Sequence, residues 1–406
     1  MSYNQIDMTK KRPHEGHYRI IVAVTNDLVT DQRVHRACQT LHDEGYRVTL
    51  VGRHLRTSAT VQRNYTTQRM RLLFNKKAMF YAEYNFRLFL KLMFAHADAF
   101  YANDTDTLPA TYLAARFRRK PMVFDAHEMF PEVPELVGRP AVKRIWVAIE
   151  RHILPRLAKG RPKAVAITVC HSIAEHYKRL YGLAMEVVRN VPVQINVVDG
   201  EPSAIAKKLP RDKHILMYQG AVNIGRGIEW IVDAMPYLSN CHFVVAGVGD
   251  IYDRLTSYVQ SRGLSDKVTF LGRIEPDELR KITPKASLGM SLLENRGLNY
   301  YYALPNRIAD FVAASVPILA TDFPEIHAVV SKHRIGTLVP AMPFDKAANK
   351  SQTPDPAELA KIISSALEYW ERIDPDERRL RFEAAASDLS WENDKKTLIN
   401  AVGTIF

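Results

Sequence analysis

Two patterns alternate along this chain, and their alternation limits the fold more than any single residue does. YRIIVAVT (18–25) is an apolar run of strand length. DQRVHRACQTLHDEGY (31–46) follows, with Val34, Cys38 and Leu41 at helical spacing and Gly45 at its close. RVTLVGR (47–53) is a second apolar run. Strand, helix and strand in this order make a βαβ unit, which requires a parallel sheet covered by helices. The rhythm continues through ADAFYAND (97–104), PMVFDAHE (121–128), AVAITVC (164–170) and MEVVRNVP (185–192). It restarts at HILMYQGAV (214–222) and GIEWIVDAMPYL (227–238), a helix with Ile228, Ile231, Val232 and Met235 on one face. Strands CHFVVAGVGD (241–250), VTFLGR (268–273), ASLGMSLL (286–293), VPILAT (316–321) and IGTLVP (335–340) complete it.

The reading is α/β, with two tandem Rossmann-like, doubly wound parallel-sheet domains facing a cleft. A chain of 406 residues exceeds one ordinary core and supports two. The expected divisions are 1–195, 196–385 and a last segment, 386–406. Residues 194–211 read as the linker, 343–356 as a polar surface loop, and the polar start as an arm ahead of the first strand. No run of 18 apolar residues suggests a spanning helix, and the start lacks a signal-peptide core. Cys38, Cys170 and Cys241 are widely spaced and odd in number, against a disulfide framework or a structural zinc site. A cytoplasmic protein is expected, in one reading at the inner membrane face.

The formal charge of +12 suits nucleic acid, anionic lipid or a phosphate-bearing ligand. No nucleic-acid-binding motif is present. The basic residues concentrate in QRMRLLFNKKAMFYAEYNFRLFLKLMF (68–94), where Lys76, Lys77, Arg87 and Lys91 interleave with Phe80, Phe86, Leu88, Phe89, Leu90 and Met93. Such a segment is either a basic amphipathic helix on a membrane surface or a core helix with a solvated charged face.

Open α/β sheets bind ligands outside the carboxyl ends of their strands, so polar residues just after strands are the candidates. In QGAVNIGRG (219–227), Gly225 and Gly227 permit a tight turn and Arg226 precedes a helix, a plausible phosphate seat. In YYYALPNRIADF (300–311), Pro305 suits a helix start, so Asn306 and Arg307 lie where unpaired N–H groups gather. Asp310 is one turn on, on the Asn306 side, where a carboxylate can accept ribose hydroxyls. Glu294, Asn295 and Arg296 arrive just upstream. In FDAHEMFPEVPEL (124–136), Asp125, His127 and Glu128 sit at the expected cleft mouth, and His127 is placed to bond a sugar or acceptor hydroxyl. DAHE lacks metal-site spacing, and the first loop lacks GxGxxG, against a dinucleotide oxidoreductase.

These residues resemble the GT-B glycosyltransferases of family 4, the retaining enzymes called glycosyl transferases group 1. The resemblance runs through TNDLVTDQRVHRACQTLHDEGYRVTLV, VFDAHEMFPEVPEL, RNVP, YQGAVNIGRGIEWIVDAM, VVAGVGD, VTFLGRI and LPNRIADFVAASVPILATD, with LSWENDKKTLINAV (389–402) as the helix that crosses back to the first domain. It implies a metal-independent enzyme without cofactor. A sugar would pass from a nucleotide diphosphate sugar to the hydroxyl of a glycan or lipid-linked acceptor, as in surface polysaccharide or glycolipid synthesis. By position, Arg226 would grip the donor diphosphate, bordered by Asn306 and Arg307. Asp310 would stand for the second acid of the family's E-x7-E motif. Residues 272–274, with Arg273 at their centre, would pass near the nucleobase. His127 would match a histidine near the acceptor and transferred sugar.

The chain departs from the pattern at four places. Ala221 stands where a second basic residue is common, and Tyr302 stands eight before Asp310 in place of the first acid. Glu294 would supply that acid through a rearranged loop. Ser315 replaces a glycine, and the glycine-rich first loop is missing. A nucleotide-sugar 2-epimerase on the same scaffold and a non-catalytic binding protein are the alternatives.

Overall fold

The computed structural model describes residues 18–406 except 30, 134–135, 137–138, 194–204, 206–208 and 346–349. The expected arm and most of the expected linker therefore lie outside the described residues. The chain divides into a unit of Met1–Arg189 with Asp394–Phe406, and a second unit of Asn190–Asn393.

In the first unit the chain runs β1 (Arg19–Ala23), α1 (Gln32–Asp43), β2 (Arg47–His54), β3 (Thr66–Arg71), α2 (Lys77–Phe94), β4 (Ala99–Asn103), α3 (Asp104–Arg118), β5 (Met122–Ala126), α4 (Pro140–Ala158), β6 (Ala164–Thr168), α5 (His171–Tyr181) and β7 (Glu186–Val187). The strands form one sheet in the order β3-β2-β1-β4-β5-β6-β7. Every described pairing is parallel. Strands β4 and β5 are buried along their whole length, which is why each reads as an apolar run up to Asn103 and Asp125. The Asp31 carboxylate caps α1 by accepting the Val34 N–H at 3.0 Å. Val34, Cys38 and Leu41 are buried on the helix face that their spacing implied.

Three local expectations are corrected. Residues 68–71 belong to strand β3, not to the basic helix, which begins at Lys77. As an edge strand, TTQRMR is polar and carries no apolar run to mark it. The strand expected at 185–192 is only the two-residue β7. The expected polar loop at 343–356 contains a small antiparallel pair, β14 (Phe344–Asp345) and β15 (Lys350–Ser351).

The second unit runs β8 (His214–Gln219), α6 (Ile228–Ala234), β9 (Cys241–Ala246), α7 (Tyr252–Ser261), β10 (Val268–Gly272), α8 (Pro276–Ile282), β11 (Leu288–Ser291), α9 (Leu298–Tyr301), α10 (Asn306–Ala313), β12 (Ile318–Thr321), α11 (Pro324–His333) and β13 (Gly336–Val339), then β14 and β15. Helices α12 (Pro356–Arg372) and α13 (Pro375–Asp388) follow. Its parallel sheet has the order β10-β9-β8-β11-β12-β13. Helix α10 lies directly against β11. A Cβ added at Gly289 would fall 2.5 Å from the Phe311 ring, so glycine lets the ring sit on the strand backbone. That seating fixes where Arg307 and Asp310 emerge. Helix α14 (Trp391–Gly403) ends the chain. Within the first unit, Asp394 pairs with Arg189 at 2.9 Å and Phe406 stacks on Tyr18 at 4.2 Å.

Ser315, exposed just after α10, holds the left-handed backbone (φ 54°) that the turn before β12 requires. Its N–H donates to the Val312 carbonyl at 3.0 Å. A side chain in this region carries a steric cost that glycine avoids, partly offset by glycine's freer unfolded chain. Ser315→Gly is therefore expected to raise the unfolding free energy by up to about 1 kcal/mol in urea titrations. A loss of stability would show that the hydroxyl contributes more than the backbone strain costs.

Candidate functional site

In the second sheet the strand order reverses between β8 and β11. The connections after these two paired strands therefore leave toward opposite faces of the sheet, and a crevice opens outside their carboxyl ends, the usual ligand position in an open α/β sheet. Four segments meet there: the end of β8, the loop into α6, the chain after β11, and the start of α10.

The loop into α6 turns at Gly225, whose φ is 85°. A Cβ there would lie 2.5 Å from Cδ of Arg296 and 2.7 Å from Cε2 of Tyr300, so the segment after β11 is pressed onto this turn. The Glu294 N–H donates to the Gly225 carbonyl at 3.0 Å, and the Tyr300 hydroxyl donates to the Ile224 carbonyl at 3.3 Å. The Arg226 guanidinium then lies over the Tyr300 ring, 4.9 Å from its centroid. Glu294 pairs with Arg296 at 3.0 Å.

Arg307 is buried, with its guanidinium 4.2 Å over the Tyr218 ring. Its pKa is lowered first by burial, with Tyr218 opposing and the charge of Arg226 adding to the depression. Nε of Arg226 and Nη1 of Arg307 are both buried and lack a hydrogen-bond partner. Beside them, Thr283 donates to Gln219 Oε1 at 2.9 Å, and Gln219 Nε2 donates to Asp310 at 3.1 Å. The Asp310 side chain reaches solvent, yet the surrounding protein desolvates it enough to raise its pKa, against the opposing Gln219 bond and Arg307 charge. Asn306 is exposed at the start of α10. Arg273 is also exposed, follows edge strand β10 two strands from β8, and takes no part in these contacts. Ala221 is exposed and Tyr302 lies between α9 and α10, so the second cation near the turn is Arg296.

The first sheet reverses between β1 and β4. Asp104 follows β4 there, His127 follows the adjacent strand β5, and both of its ring nitrogens are engaged. Nδ1 lies 3.3 Å from Asp104, and Nε2 lies 3.5 Å from Asp125 and 3.1 Å from Oδ1 of Asn103. The His127 N–H donates to Asp104 at 2.7 Å. Burial alone would lower its pKa, but the Asp104 and Asp125 carboxylates outweigh burial and raise it to about 9. At neutral pH the ring is an imidazolium, a hydrogen-bond donor and not a base. Asp125, expected at a cleft mouth, is instead 2% exposed. Burial favours its neutral form, yet the Arg33 guanidinium at 2.7 Å and His127 hold its pKa well below the carboxylate range. Its role is to anchor these two cations. Asp106, which accepts from Thr25 at 2.6 Å, is pushed up to about 7 by burial and then by Asp104.

Tyr218, Tyr300, Gln219, Asp104 and Asp106 were not singled out in the sequence. Tyr218, Gln219, Asp104 and Asp106 lie at or just after strand ends and Tyr300 lies in α9, and only folding shows which of them share a crevice. Among the described residues no group of His, Cys, Asp and Glu could hold a metal ion.

Two family models match: Glycosyltransferase Family 4 over residues 31–193 and Glycosyl transferases group 1 over residues 213–368. Together with the two parallel-sheet units, these place the chain in the GT-B family 4 (group 1) glycosyltransferases. It is 26% identical over 167 residues to the alpha-D-kanosaminyltransferase of Streptomyces kanamyceticus, a stretch covering 40% of this chain and 39% of that protein. The fold resembles sucrose-phosphate synthase from Thermosynechococcus elongatus, with a TM-score of 0.70 at 18% identity, covering 96% of this chain and 99% of that one. It also resembles Anabaena HepE solved in complex with UDP-glucose, with a TM-score of 0.69 at 14% identity, covering 96% and 100%.

A histidine whose pKa rises on folding adds stability that is full below its unfolded value near 6.5 and disappears as pH climbs through about 9. The His127 ring should titrate near pH 9 by NMR. Wild type should lose on the order of 2 kcal/mol of stability across that window, and His127→Gln should lose much less. A ring midpoint near 6.5 would contradict the charged state.

Proposed function

We propose that this chain is a retaining glycosyltransferase whose second unit holds a nucleotide diphosphate sugar at the β8–β11 crevice. The observation that carries the reading is the pair of unpartnered guanidinium edges, Nε of Arg226 and Nη1 of Arg307, in arginines close enough to repel. Buried donors without acceptors are costly, and two cations sharing a crevice leave a demand for anionic charge. A diphosphate meets both: it offers several oxygens and neutralises the repulsion. The Asp310 carboxylate, steadied by Gln219, is suited to the ribose hydroxyls.

Chemistry on this reading is electrostatic. The diphosphate gains negative charge as the sugar leaves, and fixed guanidinium groups stabilise that change without solvent reorganisation. The protein cations do the neutralising, so the proposal includes no metal and no cofactor. The departing phosphate takes the acceptor proton, so the step needs no side-chain base. In the second unit Glu294, with Arg296, helps orient the transferred sugar; in the first unit His127, its ring nitrogens held by Asp104, Asn103 and Asp125, supplies a fixed positive charge. The acceptor is a hydroxyl of a glycan or lipid-linked precursor in surface polysaccharide or glycolipid synthesis, at the inner face of the membrane.

Calorimetry with nucleoside diphosphates and their sugars tests the donor site. Arg226→Ala should weaken nucleoside diphosphate binding by roughly 10- to 100-fold, the loss expected for one charge-assisted contact. The melting temperature without ligand should stay near wild type, since Arg226 is only partly buried. Undiminished affinity in this variant would remove Arg226 from the donor site.

A further inference from the structure

Helix α2 is apolar on two opposite faces. One stripe, Phe80, Tyr84, Leu88 and Leu92, is buried against the first unit. The other carries Met79, Phe86, Leu90 and Met93, at offsets of 0, 7, 11 and 14 residues. At 3.6 residues per turn these share the side turned away from the buried stripe. Phe86 is 63% exposed and Phe94 at the helix end 85%. A helix that is apolar all round belongs in a core or against another apolar phase.

The patch extends beyond α2. Phe89 meets Phe117 of α3 edge-on, with ring centroids 6.1 Å apart, and Phe117 is 66% exposed. Ahead of α2, the Glu83 carboxylate accepts the N–H groups of Leu73 and Phe74 at 2.8–3.0 Å. Two more exposed apolar side chains are thereby fastened to the helix by their backbone. Cations flank this surface: Lys76 and Arg87 on one side of the outer stripe, and Arg116 and Arg119 at the end of α3, while Lys77 and Lys91 fall nearer the buried stripe. The one acid within residues 68–94 is Glu83, already engaged with those amides and with Arg87.

We propose that the outer face of α2, with Leu73, Phe74 and the end of α3, docks the protein on an anionic lipid surface. Cores of protein interfaces are depleted in lysine, whereas long cationic side chains around an aromatic and aliphatic strip match acyl chains bordered by phosphates. No described helix is long and apolar enough to cross a membrane, so α2 lies in the interface plane. The face is in the first unit and does not depend on the donor site. It deepens the acceptor reading above, by bringing the enzyme to a membrane-borne acceptor.

Vesicle flotation of the full chain tests this. Wild type should float with vesicles containing one third phosphatidylglycerol, much less with phosphatidylcholine alone, and less as salt rises. The triple variant Phe86→Ser, Leu90→Ser, Phe117→Ser should partition at least roughly tenfold less. Lys76→Glu with Arg116→Glu should do the same through charge. Unchanged melting temperatures would show that the folds are intact, and unchanged nucleoside diphosphate binding would keep this result separate from the donor site. Wild type that does not float, or variants that float equally well, would overturn the proposal. So would a dimer in sedimentation that the same variants dissociate without any lipid binding, which would make the face a contact between copies of the chain.

Discussion

All described pairings in the two large sheets are parallel, and much else follows from that constraint. Parallel strands deliver their carboxyl ends to one edge, and each crossover helix begins near that edge. Polar residues after the strands are therefore gathered by topology, not by sequence proximity. Where the strand order reverses, neighbouring crossovers leave in opposite directions and a gap opens. Gln219, Arg226, Glu294 and Arg307, spread over nearly ninety residues, come into one neighbourhood for this reason.

The two reversal points have opposite electrostatic characters. In the second unit, two arginines crowd together with unsatisfied N–H groups. In the first, Asp104, Asp106 and Asp125 surround one imidazolium and one guanidinium. Neither arrangement is a relaxed one for an isolated domain. Such clusters persist in proteins when the surrounding packing holds them, and perturbed ionisation of this kind gathers at functional sites. The first unit holds its charge balance internally, through ion pairs. The second leaves two guanidinium N–H groups without a partner, which is what the donor proposal rests on.

Much of the architecture was legible because the central strands are buried on both faces and read as continuous apolar runs. The elements that escaped lack that signature. Edge strand β3 is polar, β7 has two residues, and β14 with β15 form a pair too short to leave a pattern. The basic stretch was misread at its start because a polar edge strand and a helix N-terminus look alike without their partners. That Arg226, Arg307 and Asp310 meet at the β8–β11 crevice was legible because glycine, proline and a strand end mark their positions. Asp125 was misread. Its strand-end position suggested access, but the side chain points to Arg33, 92 positions away in sequence, and only folding reveals that partner. Tyr218 and Tyr300 left no signal as site residues, since aromatic residues at such spacing are ordinarily core.

The tyrosine ring over Arg226 has an effect that reaches past geometry. A guanidinium free in water must shed much of its hydration before it can grip an anion. Here one flat face of the cation already rests on an aromatic surface, as Arg307 does on Tyr218. Folding has removed water from those faces in advance and limited the orientations the groups can sample. A diphosphate bound as proposed would meet cations already partly dried and aimed, and less of the interaction would be consumed in preparing them.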